Sequence, residues 1–204
     1  AGEAWPVVKQ LSAPEGLRPC CAFGYQLKTR LSGIPVPFYR INNVIDAGST
    51  GQHSFNDSHW NALLALTGLN QEHNGIIYTR RGGFIDTAHI RDSADMTFWI
   101  FSQLYPKLGK AFSILPGEDE LAKRVVVFNA FRPPDDPATA YTLAVWIAAR
   151  VAFQIAAWHE IAQWYGFESV PGFSEGISAF SPEDLYSNMV GVRLAATLLL
   201  TGHG

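Results

Sequence analysis

Residues 136–167 read DPATAYTLAVWIAARVAFQIAAWHEIAQWYGF, a long apolar run with polar residues at both ends. Asp136 is placed to cap a helix, and Pro137 suits the first helical position, where a missing N–H costs nothing. From 141 to 158 almost every residue is Ala, Leu, Val, Ile, Phe or Trp. A helix that is apolar all round is buried in a protein or in a membrane. Arg150 and Gln154 interrupt the run, which leaves no unbroken apolar stretch of about 18 residues. The expectation is a long, buried, central helix of a soluble domain, with no transmembrane span. Gly166 is its natural C-cap. The last turns carry His159 and Glu160. Gln163 shares a face with His159, and Glu160 lies about 100° further round.

Outward toward the C-terminus, residues 170–176 (Val-Pro-Gly-Phe-Ser-Glu-Gly) read as a loop carrying Glu175. Ser181, Pro182 and Asp184 then imitate a capping box and open a last helix. Outward toward the N-terminus, Arg132-Pro133-Pro134-Asp135 is a linker. Residues 124–128 (Arg-Val-Val-Val-Phe) form the clearest strand, β-branched and apolar. Residues 87–105 have helical spacing, with Ile90, Ala94, Phe98, Phe101 and Leu104 as an apolar stripe. His89, Asp92 and Asp95 fall off that stripe. Two short strands, 75–79 and 84–86, flank the turn Arg80-Arg81-Gly82-Gly83. Asp57 or Ser58 caps a helix running to about Leu66, which Gly68 ends. Residues 1–50 are rich in Pro and Gly and read as extended segments, with a short strand at 25–29. The fold expected is α+β and helix-dominated. It is a single domain over 1–204, in which 1–50 wraps a helical core with short strands and a small sheet over 51–204.

Composition agrees. The chain has 204 residues, 48% of them hydrophobic, 13% aromatic and only 16% charged, enough for one domain with a substantial core and no disordered character. A net charge of −3 without a basic run argues against nucleic-acid binding. The chain starts at Ala1 without an initiator Met, as expected of a processed or partial chain. Residues 198–204 read as a helix end.

His159-Glu160 is the first candidate for chemistry. In zinc peptidases a helix carries His-Glu-x-x-His, where two imidazoles hold the metal and the Glu activates water. Here position 163 is Gln, a poor zinc ligand. Taken alone, the pair reads first as polar residues that end a buried helix. His89 is the second candidate. Asp86, three residues before it, can share a ligand with it. Alternatively Asp92 orients it as a base. The plain alternative is an acidic first helical turn with a surface His. Cys20 and Cys21 are the only cysteines. Adjacent cysteines rarely bridge each other. They read first as small buried hydrophobes, and second as a nucleophilic thiol needing a nearby base. Of the loop histidines, His53 is a better candidate than His59, while His73 and His203 read as surface residues. Glu183 and Asp184 are explained by capping. Glu175 is less explained and is expected as a third ligand or second carboxylate. No phosphate loop and no Gly-x-Ser-x-Gly elbow exists.

Four stretches together resemble a bacterial family known as a domain of unknown function. They are Arg18-Pro19-Cys20-Cys21-Ala22-Phe23-Gly24, residues 83–92 from Gly83 through His89-Ile90-Arg91-Asp92, His159-Glu160-Ile161-Ala162-Gln163-Trp164-Tyr165-Gly166, and residues 178–188 ending Leu185-Tyr186-Ser187-Asn188. The resemblance implies an exported or lipoprotein-anchored protein of the periplasm or cell envelope and supplies no activity. It adds weight to His89, His159, Glu160 and the cysteine pair.

Three functions are expected from these residues. The first is an envelope hydrolase or transferase in which His89, His159 and Glu175 hold zinc and Glu160 is the general base. The second is a thiol acyl- or amide-transfer enzyme. There Cys21 or Cys20 is nucleophile, His89 or His159 is base, and Asp92 or Glu160 orients it. The third is a non-catalytic binding or assembly protein. In either enzyme, Arg91, Trp164 and Tyr165 are expected to contact a cell-envelope substrate.

Overall fold

The computed structural model describes residues 8–14, 30–31, 34–35, 46–55, 75–117, 123–167, 176 and 179–202. Among them are three long helices: α1 (Thr87–Leu104), α2 (Pro137–Trp164) and α3 (Pro182–Thr201). Three antiparallel strand pairs accompany them: β1 (Arg30–Leu31) with β2 (Ile34–Pro35), β3 (Ile76–Thr79) with β4 (Gly83–Asp86), and β5 (Phe112–Ile114) with β6 (Val126–Phe128). The fold is a helix-dominated α+β domain. Its helix at 57–66 and strand at 25–29, expected from sequence, lie outside the described residues. The strand β5 was not expected; it is short and made visible only by its pairing with β6.

The caps form as their residue types demand. Asp136 accepts from the Thr139 amide at 2.8 Å, and Ser181 accepts from the Asp184 amide at 3.4 Å, each with proline in the first turn. Gly166, at φ +96°, ends α2. Its amide bonds Gln163 carbonyl and the Phe167 amide bonds Ala162 carbonyl, the paired 6→1 and 5→2 bonds of a Schellman motif.

The three helices pack on one another. The core between them holds Trp99, Ile100, Phe101, Leu104, Tyr141, Val145, Val192 and Leu199. On α2 the side facing this core is lined by Ala144, Ala148, Ala152 and Ala156, four residues apart, so one row of small side chains runs along the helix. Burial of α2 is one-sided. Trp146, Trp158, Ile161 and Trp164 are exposed on its outer surface. By length and composition α2 could cross a membrane, but its alanine row is packed as a core helix is.

The more enclosed helix is α1, which lies against both others. Of its expected stripe, Phe101 and Leu104 are fully buried, whereas Ile90, Ala94 and Phe98 are half-buried. Its buried set also includes Arg91, Ser93, Asp95, Thr97 and Ser102. A helix covered on several sides buries residues outside one apolar stripe, so periodicity alone understated its burial. Residues 8–14 follow α1 without regular structure. The Leu11 amide bonds Ser102 Oγ at 3.2 Å, and Gln103 Nε2 donates to Leu11 carbonyl at 3.0 Å.

Two helices approach closely at Gly191. A Cβ there would sit 2.3 Å from the carbonyl oxygen of Ile90, closer than any side chain tolerates. This contact brings the first turns of α3 alongside the first turns of α1.

Candidate metal centre

Asp86 closes β4 and caps α1. Its Oδ1 accepts from the amides of Ala88 (2.8 Å) and His89 (3.3 Å), and its own amide donates to Ser187 Oγ of α3 at 2.7 Å. The cap is pinned from the hairpin side as well. Thr87 binds Gly75, with its Oγ1 accepting from the Gly75 amide at 2.8 Å and donating to the Gly75 carbonyl at 2.9 Å. The one-turn step from Asp86 to His89 then puts both side chains on the same face of the helix start.

The approach at Gly191 sets α3 against that face. His89 Nε2 lies 3.5 Å from Asp184 Oδ1 and 3.9 Å from Asp86 Oδ2. Donor atoms of Asp86, His89 and Asp184 all lie within 4.8 Å of one another, and all three residues are enclosed. The other ring nitrogen is taken. Nδ1 of His89 lies 3.3 Å from Asn188 Oδ1, which also accepts from Ser93 Oγ at 2.6 Å. Asn188 Oδ1 is an acceptor, so it calls for the proton on Nδ1 and leaves the Nε2 lone pair toward the two carboxylates. Donors about 2.0–2.2 Å from a tetrahedral zinc-class ion lie roughly 3.3–3.6 Å from each other. The observed distances of 3.5 and 3.9 Å fit such an arrangement with small closure.

A third carboxylate stands beside this group. Glu160, near the end of α2, is fully buried. Its Oε2 accepts from the Phe180 amide at 2.9 Å, while Oε1 has no hydrogen-bond partner among the described residues. The charge of Glu160 reaches both His89 and Asp184 and raises the pKa of each. Burial works against the imidazolium of His89. The carboxylates of Asp184, Asp86, Glu160 and Asp92 outweigh it and hold His89 above the ordinary imidazole value. Burial pushes the carboxyl of Asp184 up to about 7. The charge of His89 and the Ser181 hydrogen bond oppose this rise, and the like charges of Asp86 and Glu160 add to it. Enclosed carboxylates resist ionising side by side unless a cation joins them. A divalent ion held by two aspartates and a neutral imidazole makes a charge-neutral centre, and the Asp86–His89–Asp184 group can hold one.

The other expected site residues are placed as follows. His159 is buried one residue before Glu160, but its Nε2 is 3.0 Å from Gln163 Nε2 and its ring meets Phe167 edge-on. The two residues point in different directions because successive helical side chains diverge by about 100°. Arg91 is buried and bonds the neighbouring Asp92 carboxylate through Nε (2.8 Å) and Nη2 (2.7 Å). Asp92 therefore holds Arg91, while Asn188 orients the His89 ring. Trp164 and Tyr165 are well exposed at the end of α2. His53 pairs with buried Asp95, its Nε2 lying 3.0 Å from both carboxylate oxygens. Cys20, Cys21 and Glu175 lie outside the described residues, as do His59, His73 and His203. From sequence, Asp184 could fold back toward the end of α2, but capping explained it adequately. The missed signal is the trio Asp184, Ser187 and Asn188 at steps of three and four, polar on the face that α3 buries.

The chain belongs to the family described as "Protein of unknown function (DUF4056)", whose model matches residues 8–204. No curated protein matches the chain, and no solved structure does.

Proposed function

We propose that this member of a family without an assigned activity is a divalent-metal-dependent hydrolase. Its ion is held by Asp86 Oδ2, His89 Nε2 and Asp184 Oδ1, with zinc as the first choice of metal. The observation that carries the reading is the enclosed aspartate–imidazole–aspartate group with a third buried acidic side chain, Glu160, beside it. Three protein donors and an open position are the ligand count of catalytic zinc sites. Two oxygens among the three donors also suit manganese.

When bound, such an ion supplies Lewis-acid activation of water and of an acyl or phosphoryl oxygen. The protein's own residues do the rest. Asn188, braced by Ser93, keeps the His89 proton on Nδ1. Asp86 and Asp184 neutralise the ion. Glu160 is the buried carboxylate able to take the proton from the attacking water and return it to the leaving group. Elemental analysis of protein purified without a histidine tag tests this. One equivalent of zinc or manganese, lost in Asp184→Asn, is expected. No stoichiometric metal, together with unchanged stability on chelation, would rule the reading out. Hydrolysis of ester, amide and phosphoester probes by the loaded protein, abolished in Glu160→Gln, completes the test.

A second reading is favoured by one observation: Asp86, Glu160 and Asp184 are all 0% exposed. On that reading the ion is a structural clip joining the ends of α1, α2 and α3, and the domain binds or assembles rather than catalyses. Chelation then lowers the melting temperature steeply while no probe is turned over at any metal loading. We further propose the envelope location that the sequence resemblance implies; fractionation of cells that make the protein tests it.

A further inference from the structure

We infer that Phe180 is a positioning residue of this centre: its left-handed backbone turns its amide onto one oxygen of Glu160 and thereby sets the other oxygen toward the ion. The inference rests on the metal reading above and adds to it a residue that has no donor atom of its own in the group.

Phe180 has φ +62°, and it is the one non-glycine residue with positive φ among those described. Bulky side chains rarely adopt this conformation, and such strain persists only where surrounding structure holds it. The hold is visible on both sides. The Phe180 amide donates to Glu160 Oε2 at 2.9 Å, and the next residue, Ser181, caps the helix that carries Asp184. One strained turn thus ties Glu160 at the end of α2 to Asp184 at the start of α3.

The ring does not explain the strain. It is 43% exposed, and its ring contact is a tilted one with Trp164, centroids 6.4 Å apart. What the conformation secures is the amide direction. A buried carboxylate with both oxygens hydrogen-bonded to the protein would be spent on structure. Here Oε2 is held, while Oε1 is buried without a hydrogen-bond partner among the described residues, in a carboxylate whose charge His89 and Asp184 both feel. Partners that orient a metal's ligands change metal affinity about 10–100-fold when removed, and this turn leads into the Ser181 cap that accepts from the amide of the ligand Asp184.

The test measures zinc affinity by calorimetry and melting temperature for the whole chain. Phe180→Pro removes the amide hydrogen and forbids positive φ, and it is expected to weaken zinc binding by about 10–100-fold. A Phe180→Pro protein that melts lower yet binds zinc like the wild type overturns the inference, because a merely structural turn would behave that way. Two further variants keep the question open to refutation should Phe180→Pro not fold. Phe180→Gly adopts the left-handed conformation freely and keeps the amide. It is expected to retain wild-type zinc affinity and to melt above Phe180→Ala. Equal melting temperatures for these two overturn the left-handed requirement. Wild-type protein that takes up no zinc refutes the metal reading instead, and the glycine–alanine comparison then still decides whether the turn is strained.

Discussion

The two ends of α1 bury opposite chemistries. Its first turns enclose Asp86, His89, Arg91 and Ser93 against Asp184, Ser187 and Asn188. Its last turns enclose Ile100, Phe101 and Leu104 against Tyr141, Val145 and Leu199. At the apolar end the aromatic rings of Phe101, Tyr105 and Tyr141 meet one another with centroids 5.1–5.4 Å apart. There burial removes apolar surface from water and stabilises the fold. At the polar end burial raises the free energy of charged groups, as the displaced pKa of Asp184 records. One end of the bundle keeps the helices together; the other uses that rigidity to hold like charges where water would disperse them.

Phe101→Ala is expected to cost about 3–5 kcal/mol in urea unfolding, because it deletes a fully buried ring and leaves a cavity. Zinc affinity of the remaining folded protein is expected to stay within a few-fold of wild type. A parallel loss of both would mean that the two ends are not separable.

Gly191 packs at the polar end, against Ile90 and Ser93. Gly191→Ala drives a methyl group into the Ile90 carbonyl, and overpacking of this kind costs about 1–3 kcal/mol. The helices must part by a few tenths of an ångström or more, so zinc affinity is expected to fall as well. A variant that loses stability and keeps full affinity would show that the α1–α3 approach does not set the centre.

At the polar end the expected effects are smaller and depend on pH. The carboxyl of Asp184 and the imidazole of His89 both titrate above their ordinary values in the folded chain. A group with a raised folded pKa binds its proton more tightly folded than unfolded, so its contribution is complete at low pH and is lost as pH rises through the folded value. Metal-free protein is therefore expected to lose stability between about pH 4 and pH 7 on account of Asp184, whose pKa moves from the ordinary carboxyl range to about 7. His89 adds to the loss at higher pH. With zinc in excess the trend reverses, because the metal competes with protons for the same donors. Asp184→Asn removes a buried charge. It is expected to make the metal-free protein melt higher than wild type at pH 8 and no higher at pH 5, while weakening zinc binding. Thermal melts across pH, with chelator and with zinc, read all of this. A metal-free wild type that melts higher at pH 8 than at pH 5 would contradict it.

Much of the frame was legible in residue order. Asp136, Pro137 and Gly166 bound α2, and Ser181 with Pro182 opened α3, because caps are chosen by side-chain chemistry within three or four residues. His89 and Glu160 stood out as polar residues at the ends of apolar helices, and Asp86 was recognisable as a neighbour three residues before His89. The role of Asp184 was not legible. An aspartate three residues after an N-cap serine serves a helix terminus equally well whether its carboxylate meets water or an imidazole 95 positions away in the chain. Nor could the order His159-Glu160 say which of the two turns inward to the group. That depends on how α2 is rotated against α1, which the alanine row and the core between the helices decide together.

The sequence by itself determined where the helices begin and end, that they assemble in one helix-dominated domain, and that acidic and imidazole side chains sit at helix ends. Local hydrogen bonding and apolar periodicity suffice for that, since both act over a few residues. Only the tertiary structure decided which of those side chains meet. Gly191 admits α3 to the backbone of α1, and this approach, together with the left-handed turn at Phe180, gathers Asp86, His89, Glu160 and Asp184. Contacts of that range depend on helix rotation and separation, which no short stretch of the chain encodes.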